Sequence, residues 1–211
     1  MTPSLPQNTI IEIVGNVGTG KTTLSKKLAK ILRAKYLDVD PFIENPFLPL
    51  YVTNRKKWAF ATSLHFSFSR AKLISKVKAT KSSPIVLDHG FNSGLFMYPR
   101  ASYELGEMTT NEWEFLKEIH HKLMKNLPPV TISIFLNLDS KSILKRLKER
   151  GRPHETHYSQ KYIEQLQKGL EEYKKHLIES GLRTTIIEFN PVKNSIISKG
   201  KRNTILEKAL C

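Results

Sequence analysis

The run Gly15-Asn16-Val17-Gly18-Thr19-Gly20-Lys21-Thr22 constrains this chain more than any other part of it. It fits G-x-x-x-x-G-K-[ST] at every fixed position. The run lies between Thr9–Val14, short, apolar and β-branched, and Lys21–Arg33, where Leu24, Leu28 and Ile31 recur at helical spacing. A strand, a glycine turn and a helix in that order form an anion cradle. Gly15, Gly18 and Gly20 let backbone N–H groups wrap around phosphate oxygens, and the helix points its partial positive end at them. Lys21 is expected to reach the β- and γ-phosphates and the Thr22 hydroxyl to ligate Mg²⁺, with Asn16, Val17, Thr19 and Thr23 completing the contact. A triphosphate such as ATP is the ligand this implies.

The remainder of the chain alternates in type. Strands are expected at 36–39, 84–88, 131–136 and 184–189. Helices are expected at 55–79, from the Thr109 cap to 126, at 140–150 and at 159–179. Residues 41–50 hold three prolines and read as irregular. In the long helix, Trp58, Ala61, Leu64, Phe68 and Ala71 are expected to face inward. The pattern predicts an α/β fold of three layers, a five-stranded parallel sheet flanked by helices. One domain spans 1–211, with a core at about 9–190 and a basic, partly disordered tail from 191. Ligands of such sheets bind beyond the carboxyl ends of the strands.

Composition narrows the partners. The net charge is +15. Residues 13–37 and 45–87 carry lysines and arginines but no acid. Such a field favours nucleotides and would suit a nucleic acid backbone, yet it is also what a lysine-rich surface gives. No helix-turn-helix, RNA-binding or zinc pattern accompanies it, so a nucleic-acid partner is not expected. The single cysteine, Cys211, excludes a structural disulfide and suits the cytoplasm. No apolar run is long enough to span a membrane.

Arg146 and Arg150 share a helix face, and Arg152 follows Gly151. Three guanidinium groups there would form a lid over the charge that shifts during phosphoryl transfer, whereas the bland reading is a solvated basic face. Acids are scarce in the first half, so Asp40 after strand two, Asp88 at the end of strand three, and Glu44 stand out. Each is as well read as a turn or cap as a catalytic group.

Taken together, Gly15–Thr22, Asp40-x4-Asn45-Pro46-Phe47-Leu48, Trp58-Ala59-Phe60 with Arg70, Asp88, and Arg150-Gly151-Arg152-Pro153 resemble the deoxynucleoside kinases, above all the bacterial deoxyguanosine/deoxyadenosine kinases. The resemblance runs from about residue 9 to 180. It implies transfer of the γ-phosphoryl of ATP to the 5′-hydroxyl of a deoxynucleoside, with Mg²⁺, in a homodimer. It implies Asp40 as general base, Asp88 at the metal, Trp58 and Arg70 in the nucleoside pocket, Arg146, Arg150 and Arg152 in the lid, and Glu155 on the sugar 3′-hydroxyl. The sequence departs from the family in several places. Asp40 stands where Glu is usual, and His89-Gly90 follow Asp88 where most members have Arg-Ser. Ser63 replaces a base-reading Gln, and Gly94 replaces the acid that partners the base-reading Arg. Val52 stands at the place of a sugar-contacting Tyr, with Tyr51 beside it. A kinase acting on a nucleoside monophosphate is the competing expectation, with Arg100 or His89 as donors to a second phosphate. A nucleotide-binding protein without efficient catalysis is a third.

Overall fold

The computed structural model describes residues 5–39, 44–79, 83–151, 158–181, 184–197 and 210. Six strands form one sheet in the order β2-β3-β1-β4-β5-β6. They are β1 (Ile10–Gly15), β2 (Lys35–Asp38), β3 (Ile85–Asp88), β4 (Ile132–Leu136), β5 (Thr185–Asn190) and β6 (Ser195–Ile196). The first five pair in parallel, with Ile13 opposite Asp88 and Gly15 opposite Leu136. The sixth pairs antiparallel to β5 through Phe189–Ile196 and Asn190–Ser195. The expected five-stranded, all-parallel sheet is therefore one strand short. Two residues in a segment rich in Lys and Asn carry no periodicity that would announce a strand.

Alternation along β1 sends its side chains to two cores. Ile11 and Ile13 meet Leu24 and Leu28 of α1 (Lys21–Ile31) on one face of the sheet. Leu210 is fully buried in this cluster and Ile196 packs on it, so the stretch after 191 is not all an appended tail. On the opposite face Val14 joins Met97 and Ala101 of α4 (Phe91–Glu104) and Ile163, Leu166 and Tyr173 of α7 (Gln160–Glu179). A further core holds Ala71 and Ile74 of α3 (Arg55–Ser75) against Ile10, Ile85 and Leu87. The remaining helices are α2 (Leu48–Thr53), α5 (Thr110–Met124) and α6 (Ser140–Arg150).

Helix starts follow local chemistry. Thr109 and Glu112 form the expected capping box, Asp139 accepts from Ser142 N–H, and Ser159 accepts from Tyr162 N–H. α3 ends at Ser75 and passes into a 3-10 turn, Lys76–Ala79. Helix α2 begins inside the stretch expected to be irregular, with its proline in the first turn, where a missing N–H is harmless. Helix α4 has no strong sequence signal, because Gly94 and Pro99 interrupt it. The inward face of α3 matches expectation in part: Trp58 and Leu64 pack on a buried cluster. Ala59, Thr62, Ser63, Ser67, Arg70 and Ala71 are buried, whereas Phe68 is 50% exposed.

Helices α4 and α7 approach most closely at Gly169, where a Cβ would overlap the Phe96 carbonyl oxygen. Gly169→Ala gains helix propensity of about 1 kcal/mol, but it must push α4 and α7 apart. It is expected to lower stability by roughly 2 kcal/mol net, read as the shift in urea unfolding. An unchanged or raised midpoint would show that the helices can separate without cost.

Candidate active site

The carboxyl end of β1 runs directly into the glycine turn. Gly18 and Gly20 sit at φ 73° and 95°, the left-handed region that favours glycine. At Gly15 the constraint is space: a Cβ would lie 2.7 Å from Thr19 Oγ1 and 2.9 Å from Leu136 Cβ. Asn16 is fully buried. Its Nδ2 donates to the Ile163 carbonyl at 2.9 Å, and its Oδ1 accepts from Val17 N–H at 2.8 Å. The Thr19 hydroxyl donates to Asn16 O. Lys21 Nζ lies 3.0 Å from both Gly15 O and Asn16 O, so the ammonium folds over the mouth of the turn. Thr22 and Thr23 open α1 and are exposed.

Of the lid arginines, Arg146 reaches the turn, with Nη1 3.4 Å from Gly18 O. Arg150 is exposed one turn further on, where α6 closes on Gly151 at φ 61°. Arg152, Glu155 and Asp40 lie outside the described residues, so their expected roles are not located. Asp88 is buried at the end of β3 and accepts from Tyr36 OH at 3.2 Å. Burial, followed by the charges of Asp88 and Asp38, pushes the Tyr36 hydroxyl well above its ordinary range, so it stays a donor. Among the described residues no group of three or more His, Cys, Asp or Glu converges to hold a metal.

On the acceptor side, Trp58 stacks on Phe47 at 5.8 Å. Ser63 and Arg70 are buried on the same helix. Arg70 lies against α4 at Gly94, where a Cβ would be 2.5 Å from Nη1, and its guanidinium faces the Phe66 ring. The residue that removes the expected acid thus also makes room for the arginine. Tyr51, at the edge of the family's sugar-contacting position, turns inward. Its OH donates to Glu107 Oε2 at 2.9 Å and meets Ser102 Oγ at 3.1 Å. Arg55 bonds Glu107 and lies over the rings of both Tyr51 and Tyr162. Burial and then the Glu107 charge push Tyr51 up to about 12.

Sequence reasoning missed several polar groups here. Glu107, Arg55 and Tyr162 form the cluster just described. His120 stacks on Phe91 at 4.0 Å and bonds Asn92 Oδ1, and burial, then the Arg70 charge, lowers it to about 3. Glu12, in the centre of β1, is wholly buried and accepts from Ser133 Oγ at 2.5 Å and Tyr173 OH at 2.6 Å. An acid between Ile11 and Ile13 reads as the polar half of an alternating strand. Only a helix on both faces of the sheet makes it internal.

A glycine turn at the end of a central parallel strand, a lysine over its mouth and an arginine on its rim define a P-loop phosphotransferase. The family model for deoxynucleoside kinases matches residues 11–209, and the chain belongs to that family. It is 27% identical over 181 residues to a deoxyguanosine kinase of Bacillus subtilis, 84% of each chain. It is 27% identical over 164 residues to a deoxyadenosine/deoxycytidine kinase of the same organism, 77% of this chain and 75% of that one. The structure of a deoxyadenosine kinase from M. mycoides with bound dATP superposes with a TM-score of 0.74 at 24% identity, over 87% of this chain and 91% of that one. The enzyme is an ATP-dependent deoxynucleoside kinase.

Burial raises the Glu12 carboxyl from 4.5 to about 7, against the lowering effect of its two hydroxyl donors. The folded state then holds a proton that the unfolded state has released. This group's contribution to stability is full below about pH 4.5 and is lost as pH rises through about 7. Glu12→Gln cannot ionise, so its stability relative to wild type is expected to improve between pH 5 and pH 8 by up to roughly 3 kcal/mol. Parallel urea unfolding curves at the two pH values would refute this if both proteins showed the same pH slope.

Proposed function

We propose that this enzyme phosphorylates a deoxynucleoside at its 5′-hydroxyl with Mg²⁺, and that its acceptor pocket discriminates between bases less than the family pattern would. The observation that carries the pocket reading is Arg70 packed on Gly94 beside Ser63. A site with fewer fixed polar readers rejects fewer wrong bases, because rejection comes from buried groups left unpaired. The relatives' names span deoxyguanosine and deoxyadenosine/deoxycytidine, which supports a variable pocket in this family.

In this reading Asp40 accepts the proton of the 5′-hydroxyl, with Glu44 as the alternative base nearby. Trp58, Ser63, Arg70 and Tyr51 bound the nucleoside, and Glu155 holds the sugar. Lys21 leaves the loop carbonyls for the β- and γ-phosphates, whose oxygens face the N–H groups of the turn. Arg146, Arg150 and Arg152 offset the charge that builds on the transferring group. Thr22 and Asp88 would hold Mg²⁺, which when bound neutralises phosphate charge. The monophosphate alternative is weaker. Arg100, one of its two donors, is held by Glu172 and Glu104, and His89 is 1% exposed.

An assay with ATP and Mg²⁺ across the four deoxynucleosides, their ribo analogues and the monophosphates tests this. Turnover of at least two deoxynucleosides with kcat/KM values within about tenfold is expected, and Lys21→Ala should abolish it with the fold intact. Preference for one base beyond about 10³-fold would overturn the pocket reading, since polar readers are what give such rejection. Phosphorylation of monophosphates alone would overturn the acceptor.

The reading includes a cytoplasmic homodimer. Among the described residues no helix is long and apolar enough to cross a membrane. Phe68 on α3 and Phe115 on α5 are 50% and 53% exposed, and Phe60 lies 6.3 Å from Phe115. Aromatic rings exposed on two adjoining helices support a second copy as their cover. Sedimentation at micromolar concentration is expected to show a dimer, and a monomer would remove that part of the reading.

A further inference from the structure

The strand, helix and turn that meet at Glu12 each lead to a different part of the site. Its Oε1 accepts from Ser133 Oγ on β4 and from Tyr173 OH on α7. Its Oε2 is buried with no hydrogen-bond partner among the described residues. That oxygen occupies the place where Gly90 would carry a Cβ. Gly90 is the N-cap of α4, and its φ of −99° would admit any residue. The reason for glycine there is therefore the carboxylate, not the backbone.

The turn held in this way is the one that ends β3. Asp88 is its first residue. His89 follows at φ 76°, a left-handed position for a side chain that is neither Gly nor Asn. Such a conformation costs of order 1–3 kcal/mol and persists only where the surroundings over-determine it. His89 N–H donates to Ile13 O at 3.2 Å, and Gly90 N–H donates to Ser93 Oγ at 3.0 Å. The Glu12 carboxyl closes the third side. Its Oε1 meanwhile accepts from Tyr173 of α7, the helix whose Ile163 carbonyl receives Asn16 of the phosphate turn.

We propose that Glu12 is a positioning residue for phosphoryl transfer: its carboxyl wedges the Asp88–His89–Gly90 turn against β1 and ties it to α7, so that the acceptor side of the site keeps its register with the phosphate cradle. The proposal rests on the kinase reading above. It locates the cause of Gly90, a departure from the family pattern, in a buried acid three residues before the first glycine of the phosphate turn. A wedge acts by filling space, so its loss should be felt in kcat, where alignment of acceptor and donor counts, and little in binding of either substrate.

A mutant cycle tests this with the full-length enzyme, ATP and the best deoxynucleoside of the panel. Glu12→Ala and Gly90→Ser are each expected to lower kcat at least tenfold, with both KM values within about threefold of wild type. The pair Glu12→Ala/Gly90→Ser is expected to recover kcat to within about fivefold, because the Ser side chain enters the space the carboxyl leaves. Glu12→Gln keeps the shape and is expected to retain at least a third of kcat. A double variant no better than the worse single, or Glu12→Ala losses confined to KM or to thermal stability, would overturn the proposal. Should Glu12→Ala fail to fold, Gly90→Ala with and without Glu12→Asp decides by the same rescue. Wild type inactive on every deoxynucleoside would refute the kinase reading instead, a distinct result.

Discussion

Backbone N–H groups can surround an anion only if the peptides that carry them turn inward, and that geometry is unstable by itself. Here two glycines at positive φ make the turn, and three separate elements and one bond within the turn hold it. Leu136 of β4 packs where Gly15 has no side chain, Ile163 of α7 receives Asn16, Arg146 of α6 reaches Gly18 O, and Thr19 bonds back to Asn16. The sheet order follows from the same demand. β1 lies between β3 and β4, so the turn emerges at the centre of the carboxyl edge, where the chain reverses direction across the sheet. Placed on an edge strand, the turn would lack the packing that fixes it.

The parts of the fold legible in the sequence were those with local causes. The capping box at Thr109 and Glu112 and the glycine turn are chemistry within four residues, and each stands where it is expected; the Asp139 and Ser159 caps are equally local, and the structure adds them at the starts of two expected helices. Helix α4 was not legible because its stability is tertiary. Gly94 and Pro99 argue against a helix, and what sustains it is burial of Met97 and Ala101 on Val14, Tyr173 and their neighbours. The face of α3 was legible in part. Ala71 is buried and Trp58 and Leu64 pack inward as expected, but Phe68 is left outward, and buried Thr62, Ser63 and Ser67 carry no apolar signal.

The site divides along the same line. The phosphate cradle is a contiguous motif and was readable residue by residue. The residues expected to bound the acceptor and their polar neighbours come from α2, α3, α4 and α7, and they are single residues in apolar or basic surroundings. Glu107 sits in a loop, and its partners Tyr51 and Arg55 lie on elements about fifty residues away. Only the fold brings them together. The same holds for His120, whose neutral ring depends on burial and on Arg70 two helices away.

Two departures from the family pattern share one physical cause. Gly90 and Gly94 lie one helical turn apart at the start of α4. Each is a glycine whose missing side chain is replaced by a group from elsewhere: the Glu12 carboxyl at Gly90 and the Arg70 guanidinium at Gly94. A carboxyl from β1 and a guanidinium from α3 thus enter the first turn of α4. The glycine turn keeps its motif intact, while at the start of α4 glycines stand where the family has larger residues and side chains from β1 and α3 fill the space. A helix start rebuilt in this manner tolerates no independent change at either glycine, since any Cβ must displace a buried polar side chain. Interdependence of that kind ties the start of α4 to β1 at the centre of the sheet and to α3 at once.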